Sequence, residues 1–261
     1  MIHYKNEKEI TIMKESCQLA ASVLDFIEEH IQIGTSTEQL NVLCHDYITQ
    51  HKAIPSPLNY RGFPKSICTS VNDVVCHGIP SKKDILKDGD IINVDITTYF
   101  KEYHGDTSRT FFVGKCSRKA RDLVQHTYEA MWKGIQTVRH GSFIGDIGQA
   151  IKDFTLPLGY SIVEEYTGHG IGKNFHEDPY VLHNNKKGTG PVVKPGMVFT
   201  IEPMLNVGKR KVHLLDDDWT VVTSDGKISA QFEHTIAVRE NCVEVLTLSP
   251  NAKENPVVWT K

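Results

Sequence analysis

Between residues 6 and 33, Ile10, Met13, Cys17, Ala20, Leu24, Ile27 and Ile31 recur at steps of three and four, the apolar stripe of a long helix. Asn6 followed by Glu9 supplies its cap. A second helix is expected after Gly34, with Ser36 and Gln39 as a capping box and Leu40, Leu43, Cys44 and Tyr47 on its inner face. From residue 54 to 113 the pattern changes to short β-branched runs punctuated by Pro and Gly, which read as strands. The order then repeats. A helix over about 117–139 carries Ala120, Leu123, Val124, Met131, Ile135 and Val138, a shorter one covers about 146–156, and strands follow.

This helix, helix, sheet repetition extends to single residues. Residues 87–95 (KDGDIINVD) and 194–202 (KPGMVFTIE) align without a gap, 107 residues apart, and Gly34 and Gly141 share that offset. Asp106 resembles Glu233 at an offset of 127, so the second half carries about 20 extra residues, within 209–227. The reading is a duplication, with repeats at about 5–115 and 116–248. About a pseudo-two-fold axis Asp95 then partners Glu202, and Asp106 partners Glu233.

Composition narrows the function. The chain has 261 residues, Lys+Arg 29 against Asp+Glu 32, 23% charged and 39% hydrophobic, the make-up of an ordinary globular protein rather than of a basic nucleic-acid binder. No 18-residue apolar run occurs and the first residues are polar, so a cytoplasmic protein that does not engage membranes is expected. The six cysteines form no C-x-x-C pair, which argues against a disulfide framework or a zinc knuckle. Thirteen histidines, several beside glycines, direct attention to a metal.

Asp95 and Asp106 lie on two strands joined by a turn near residues 100–102, and a register symmetric about the point between Phe100 and Lys101 sets them face to face. Like charges so placed are destabilising unless something positive lies between them. Asp95, Glu202 and Glu233 each sit in strongly apolar strand sequence, so they are buried acids in need of partners. Four carboxylates match the charge of two divalent cations, and a neutral imidazole joins without upsetting that balance. His169, in the glycine-rich run 168–172, is the candidate. Under the two-fold reading Asp95 and Glu202 belong to different metals and Asp106 and Glu233 bridge both. Four oxygen donors and one nitrogen suit Mn(II), Fe(II) or Co(II) better than a structural zinc. Such sites activate a water and polarise a carbonyl or phosphoryl group, giving metal-assisted hydrolysis.

His77 in VVCHGIP, Asp95 and Asp106 in NVD-x10-DTSRT, His169 in GHGIG, His176 in FHEDP, Glu202 in TIEP and Glu233 in FEHT together resemble the type I methionine aminopeptidases. The likeness runs from the first helix to about Leu248. It implies an α+β pita-bread fold, pseudo-two-fold halves with a mainly antiparallel curved sheet covered by helices, in one catalytic domain over 1–249, while the polar residues 250–261, with two prolines, read as a loose tail. It also implies removal of the initiator methionine from nascent chains when the next residue is small. Asp95, Asp106, His169, Glu202 and Glu233 would be ligands of two divalent metals (Mn, Fe or Co), while His77 and His176 would touch the substrate. His176 would help stabilise the oxyanion, His77 would bond near the scissile nitrogen, and Glu202 would relay a proton.

The methionine side chain would lie among Tyr60, Phe63, Cys68, His77, Phe175 and Trp219. Phe63 stands where a Tyr is usual, Pro57 where the common bacterial form has Cys, and Phe232 replaces a frequent Tyr. The 31-residue spacing of Glu202 and Glu233 leaves out the helical insert of the type II enzymes, and there is no room for the extra domain of prolidases. Partners implied are nascent N-termini and, transiently, the ribosome exit region, with the protein a monomer. The alternatives are a non-catalytic nascent-chain or ribosome-binding protein of the same fold and an X-Pro dipeptidase. His3, His30, His45, His51, His126, His140, His183 and His213 have no motif support, and His234 should point away from the metals by strand alternation.

Overall fold

The structure is a computed structural model that describes residues 1–249, 251–252 and 257–259. Helices α1 (Glu7–Glu28) and α2 (Thr37–Gln50) lead into β1 (Ile54–Pro55), β2 (Cys68–Val71), β3 (Val74–Cys76) and a long hairpin of β4 (Ile91–Phe100) and β5 (Tyr103–Phe112). Helices α3 (Arg118–Thr137) and α4 (Ile144–Thr155) precede β6 (Ser161–Ile162), β7 (Gly168–Gly170), β8 (Glu177–Val181), β9 (Val198–Ile201) and β10 (Met204–Asn206). The chain continues with β11 (Val212–Leu214), β12 (Val221–Thr223), β13 (Ser229–Gln231), β14 (Glu233–Val238), β15 (Cys242–Val245) and β16 (Val257–Trp259).

Both expected capping boxes, Asn6 with Glu9 and Ser36 with Gln39, are made. Helix α1 stops at Glu28, short of residue 33, and Ile31 reaches the core from the turn that follows. Helix α4 begins two residues earlier than expected because Asp146 is its third residue, reaching back to the cap position: its carboxylate accepts the Phe143 N–H at 3.0 Å.

All ladders are antiparallel, and the main sheet runs β1-β4-β5-β14-β9-β7-β8, with β2 also on β4 and β15 on β14. Apolar side chains of β4 and β5 (Ile92, Val94, Ile96, Phe111) pack under α1 and α2, while α3 and α4 cover the second half of the sheet. Helix α1 lies so close to β5 that a Cβ on Gly105 would stand 2.4 Å from the Cys17 nitrogen. Strand alternation therefore puts Asn93, Asp95 and Thr97 on the face turned away from α1 and α2.

The hairpin register differs from the expected one. Phe100 pairs with Tyr103 across a two-residue turn, with Lys101 and Glu102 both at positive φ (50° and 67°), so Asp95 faces Ser108 and Asp106 faces Thr97. Asp95 and Asp106 are diagonal neighbours, not directly opposed. The shift is an even number of residues, so both stay on one face of the sheet.

Contacts recur at the offset of 107. Gly34 N–H donates to Leu86 O and Gly141 N–H to Val193 O, both glycines at positive φ, and the bridges Ser36–Ile85 and Phe143–Val192 correspond in the same way. The extra residues of the second half fold as the β11–β12 hairpin, which pairs with β3. The expected loose tail is overturned in part: Val257–Trp259 adds a strand to β15, while residues 250, 253–256 and 260–261 lie outside the described residues. No described helix is long and apolar enough to cross a membrane.

Candidate functional site

Strand order and acid order coincide. Asp95 is on β4, Asp106 on β5, Glu233 opens β14, Glu202 follows β9 and His169 is the middle residue of β7. Across β14 and β9, His234 pairs with Ile201, so Glu233 and Glu202 stand one step further along that ladder. Donor atoms of Asp106, His169 and Glu233 all lie within 4.8 Å of one another. His169 Nε2 is 3.6 Å from Asp106 Oδ2 and 3.7 Å from Glu202 Oε1. These four residues are at most 9% exposed, whereas Asp95 opens on one side to the cavity.

Local contacts fix each group. His169 Nδ1–H donates to Gly170 O at 3.0 Å, which leaves Nε2 as the lone pair facing the acids. A Cβ at Gly170 would come 2.0 Å from Asp178 O, so only glycine lets β7 and β8 close here. Glu202 Oε1 accepts the Thr200 hydroxyl at 2.7 Å, and its Oε2 accepts the Gln231 amide at 3.3 Å. Asp106 Oδ1 accepts the Thr97 hydroxyl at 2.7 Å. The Glu202 N–H donates to Nε2 of the buried His183.

The electrostatics demand a cation. Among the described residues no Lys or Arg pairs with Asp95, Asp106, Glu202 or Glu233. Asp95 Oδ1 and Glu233 Oε1 are buried without any hydrogen-bond partner. Burial first, and the neighbouring carboxylates second, raise Asp95 and Glu233 well above the usual carboxylate range. Burial likewise pushes Glu202 up to about 7, against the pull of His169 and the Thr200 hydroxyl. Burial pulls His169 down, but the nearby carboxylates of Asp106 and Glu202 more than offset it and leave it raised. Orphaned buried oxygens, an exposed imidazole lone pair and no thiolate in the set fit divalent metal.

These groups floor a cavity of about 330 Å³ that is also lined by His77, His176 and the aromatic and thiol side chains expected there: Tyr60, Phe63, Cys68, Phe175 and Trp219, with Pro57 beside them. Phe63 meets Trp219 edge-on at 5.1 Å, and Tyr60 meets Phe175 at 4.9 Å. His77 lies edge-on to Tyr166 and Trp219 and is held at a positive φ of 56°. Burial pushes it down to about 4, so it is neutral at pH 7. His176 stands at the mouth, its ring 4.2 Å from that of His169 and its Nδ1 2.9 Å from the Tyr60 hydroxyl. Packing of its ring and the adjacent His169 lower its pKa, so it too is neutral.

Several members carried no sequence signal. Tyr166, Met204, Thr97 and Arg61 also line the cavity, and Thr200, Gln231 and His183 hold Glu202. His104 stacks on Phe175 with ring planes 14° apart. A search for hydroxyls or amides two residues from each acid would have found Thr97, Thr200 and Gln231, because strand alternation sets such side chains on the acid's own face. His234 lies on the reverse face as expected, bonded to Thr247 and against Trp132.

The model of metallopeptidase family M24 matches residues 11–240. A methionine aminopeptidase of Rickettsia prowazekii is 50% identical over 256 residues, covering 98% of either chain. Methionine aminopeptidase A of a Synechocystis species is 52% identical over 243 residues, 93% of this chain and 96% of that one. A crystal structure of the R. prowazekii methionine aminopeptidase superposes with a TM-score of 0.94 at 51% identity, covering 95% of this chain and all of the other.

Proposed function

The chain belongs to metallopeptidase family M24, and from its near full-length likeness to methionine aminopeptidases we infer that it is a type I methionine aminopeptidase, releasing the first methionine of polypeptides whose next residue is small. The observation that carries this reading is the lining of one cavity: five potential ligands with no balancing cation at its floor, and aromatic rings with a thiol on its walls. Such walls suit a polarizable thioether. Substrates are nascent N-termini, met in the cytoplasm near the ribosome exit by a monomer that acts through one catalytic domain. The absence of any membrane-spanning helix among the described residues is compatible with that setting.

In the mechanism we propose, Asp95, Asp106, His169, Glu202 and Glu233 hold two divalent cations, of which Mn(II), Fe(II) and Co(II) fit the donor set best. When bound, these ions supply Lewis acidity toward a carbonyl and a water. The protein's own residues do the rest. With the Tyr60 hydroxyl donating to Nδ1, His176 carries its proton on Nε2 and donates it to the carbonyl oxygen as negative charge develops there. His77, neutral at the cavity wall, hydrogen-bonds beside the scissile nitrogen. Glu202 takes a proton from the attacking water and passes it to the leaving amine. Tyr60, Phe63, Cys68, Phe175 and Trp219 exclude water and orient the methionine side chain.

The test is release of free methionine from Met-Ala-Ser and Met-Leu-Ser by metal-stripped protein, with and without added Mn(II), Fe(II) or Co(II). Metal-dependent release from the first peptide and scarcely from the second is expected. Metal binding with no release from either would overturn the reading and favour a non-catalytic role.

A further inference from the structure

Lys5 is a lysine that the chain buries, with only 4% of its surface exposed. Lysines are almost never buried unless paired. Its partner is Glu177, whose Oε2 accepts from Lys5 Nζ at 2.7 Å, the two side chains being 1% and 9% exposed. Glu177 directly follows His176 in the chain. Its other oxygen, Oε1, accepts the backbone N–H of Asn174 at 3.1 Å. One carboxylate therefore spans the turn that presents Phe175 and His176 to the cavity, and Lys5 is the cation that holds the carboxylate.

The lysine is itself held rigidly. Its backbone N–H donates to Gly196 O at 2.7 Å, two residues before the start of β9. A Cβ on Gly196 would come 2.7 Å from Lys5 O, and one on Gly172 would come 2.8 Å from Lys5 Cε, so two glycines make room for it. On its far side the same turn is held by His104, whose backbone N–H donates to Gly172 O at 2.9 Å and whose ring stacks on Phe175. The turn is thus gripped from both sides, and one grip comes from a segment ahead of α1, Lys5 itself standing outside the cavity lining.

We propose that Lys5 is a positioning residue of the aminopeptidase reaction: through Glu177 it fixes the 172–177 turn so that the His176 ring meets the reacting carbonyl. The proposal rests on the functional reading above, which peptide cleavage by the unaltered protein tests separately. A misplacement of about 1 Å in a catalytic group costs on the order of a hundredfold in rate, so loss of one of the two grips is expected to cost roughly ten- to a hundredfold.

The experiment is a double-variant cycle in the full-length, metal-loaded protein with Lys5→Met, Glu177→Met and the pair together. Removing one partner leaves a buried charge or an empty grip. Replacing both by apolar residues is often neutral for folding, so the pair decides the matter alone if a single variant does not fold. The expected result is a fall in kcat that exceeds any change in KM, with metal affinity unaltered and the double variant no slower than either single one. Hydrogen exchange should quicken in the 172–177 segment of each variant while α3 and α4 keep their protection. A folded double variant with full kcat overturns the proposal. So does a loss of activity that tracks loss of metal, or single effects that multiply in the double variant.

Discussion

Loading the metal-free protein with Mn(II) is expected to expel protons, in a number that the site itself sets. At pH 7, Glu202, raised to about 7, is half protonated. Asp95 and Glu233, raised well above the ordinary range chiefly by burial, hold their protons to higher pH than ordinary carboxylates do. His169, also raised, adds a further fraction. Since ligands bind metal deprotonated, these protons leave on loading. Each proton displaced makes affinity change tenfold per pH unit, so lowering the pH from 7 to 6 is expected to weaken binding about tenfold, or about 1.4 kcal/mol, for every proton counted. Calorimetric titrations in buffers of different ionisation enthalpy count the protons from the slope of the observed heat. Glu202→Gln should reduce the count by about half a proton at pH 7. A heat independent of buffer would mean that the buried acids are already ionised without metal, and the argument from orphaned carboxylate oxygens would fail with it.

Other outcomes follow from single contacts. His176→Ala is expected to lower kcat by about a hundred- to a thousandfold while metal content stays near that of the unaltered protein; metal analysis of the variant that shows loss would move His176 among the ligands. Tyr60→Phe, which removes only the hydroxyl bonded to Nδ1, should slow turnover by a smaller factor and leave KM nearly unchanged. Phe63→Ala empties a fully buried site against Trp219 and is expected to cost about 3–5 kcal/mol in denaturant unfolding. Gly170→Ala drives a methyl group into Asp178 O, so the variant should melt well below the unaltered protein and bind metal poorly even when folded at low temperature.

Much of this was legible in the sequence because two periods carried it. The three-and-four spacing of Ile10 through Ile27 marked α1, and the offset of 107 marked its counterpart contacts. The face shared by Asp95 and Asp106 was readable for the same reason, since a strand's period of two survives any even error in register. Their exact pairing was not. It depends on Lys101 and Glu102 both adopting positive φ, and neither residue announces a tight turn as Asn-Gly would. The groups that hold the ligands were invisible for another reason. Thr200, Gln231 and His183 are ordinary residues in apolar strands or loops until pairing brings them to Glu202, and His104 reads as one more histidine until its ring meets Phe175. Lys5, in a polar leader segment, is indistinguishable in sequence from a solvated lysine.

The strand order has a mechanical meaning. The halves meet where β5 lies beside β14, and there only Glu233–Ser108 and His234–Thr107 form the ladder, against ten paired positions within the β4–β5 hairpin. Asp95 and Asp106 lie on one bank of this seam, and His169, Glu202 and Glu233 on the other. A cation held by both banks would act as a clasp across a join of only two paired positions, and withdrawing it would leave the crowded acids to take up protons at that join. Neither bank alone holds all five candidate ligands, so a chelator would act on the line where the two halves join.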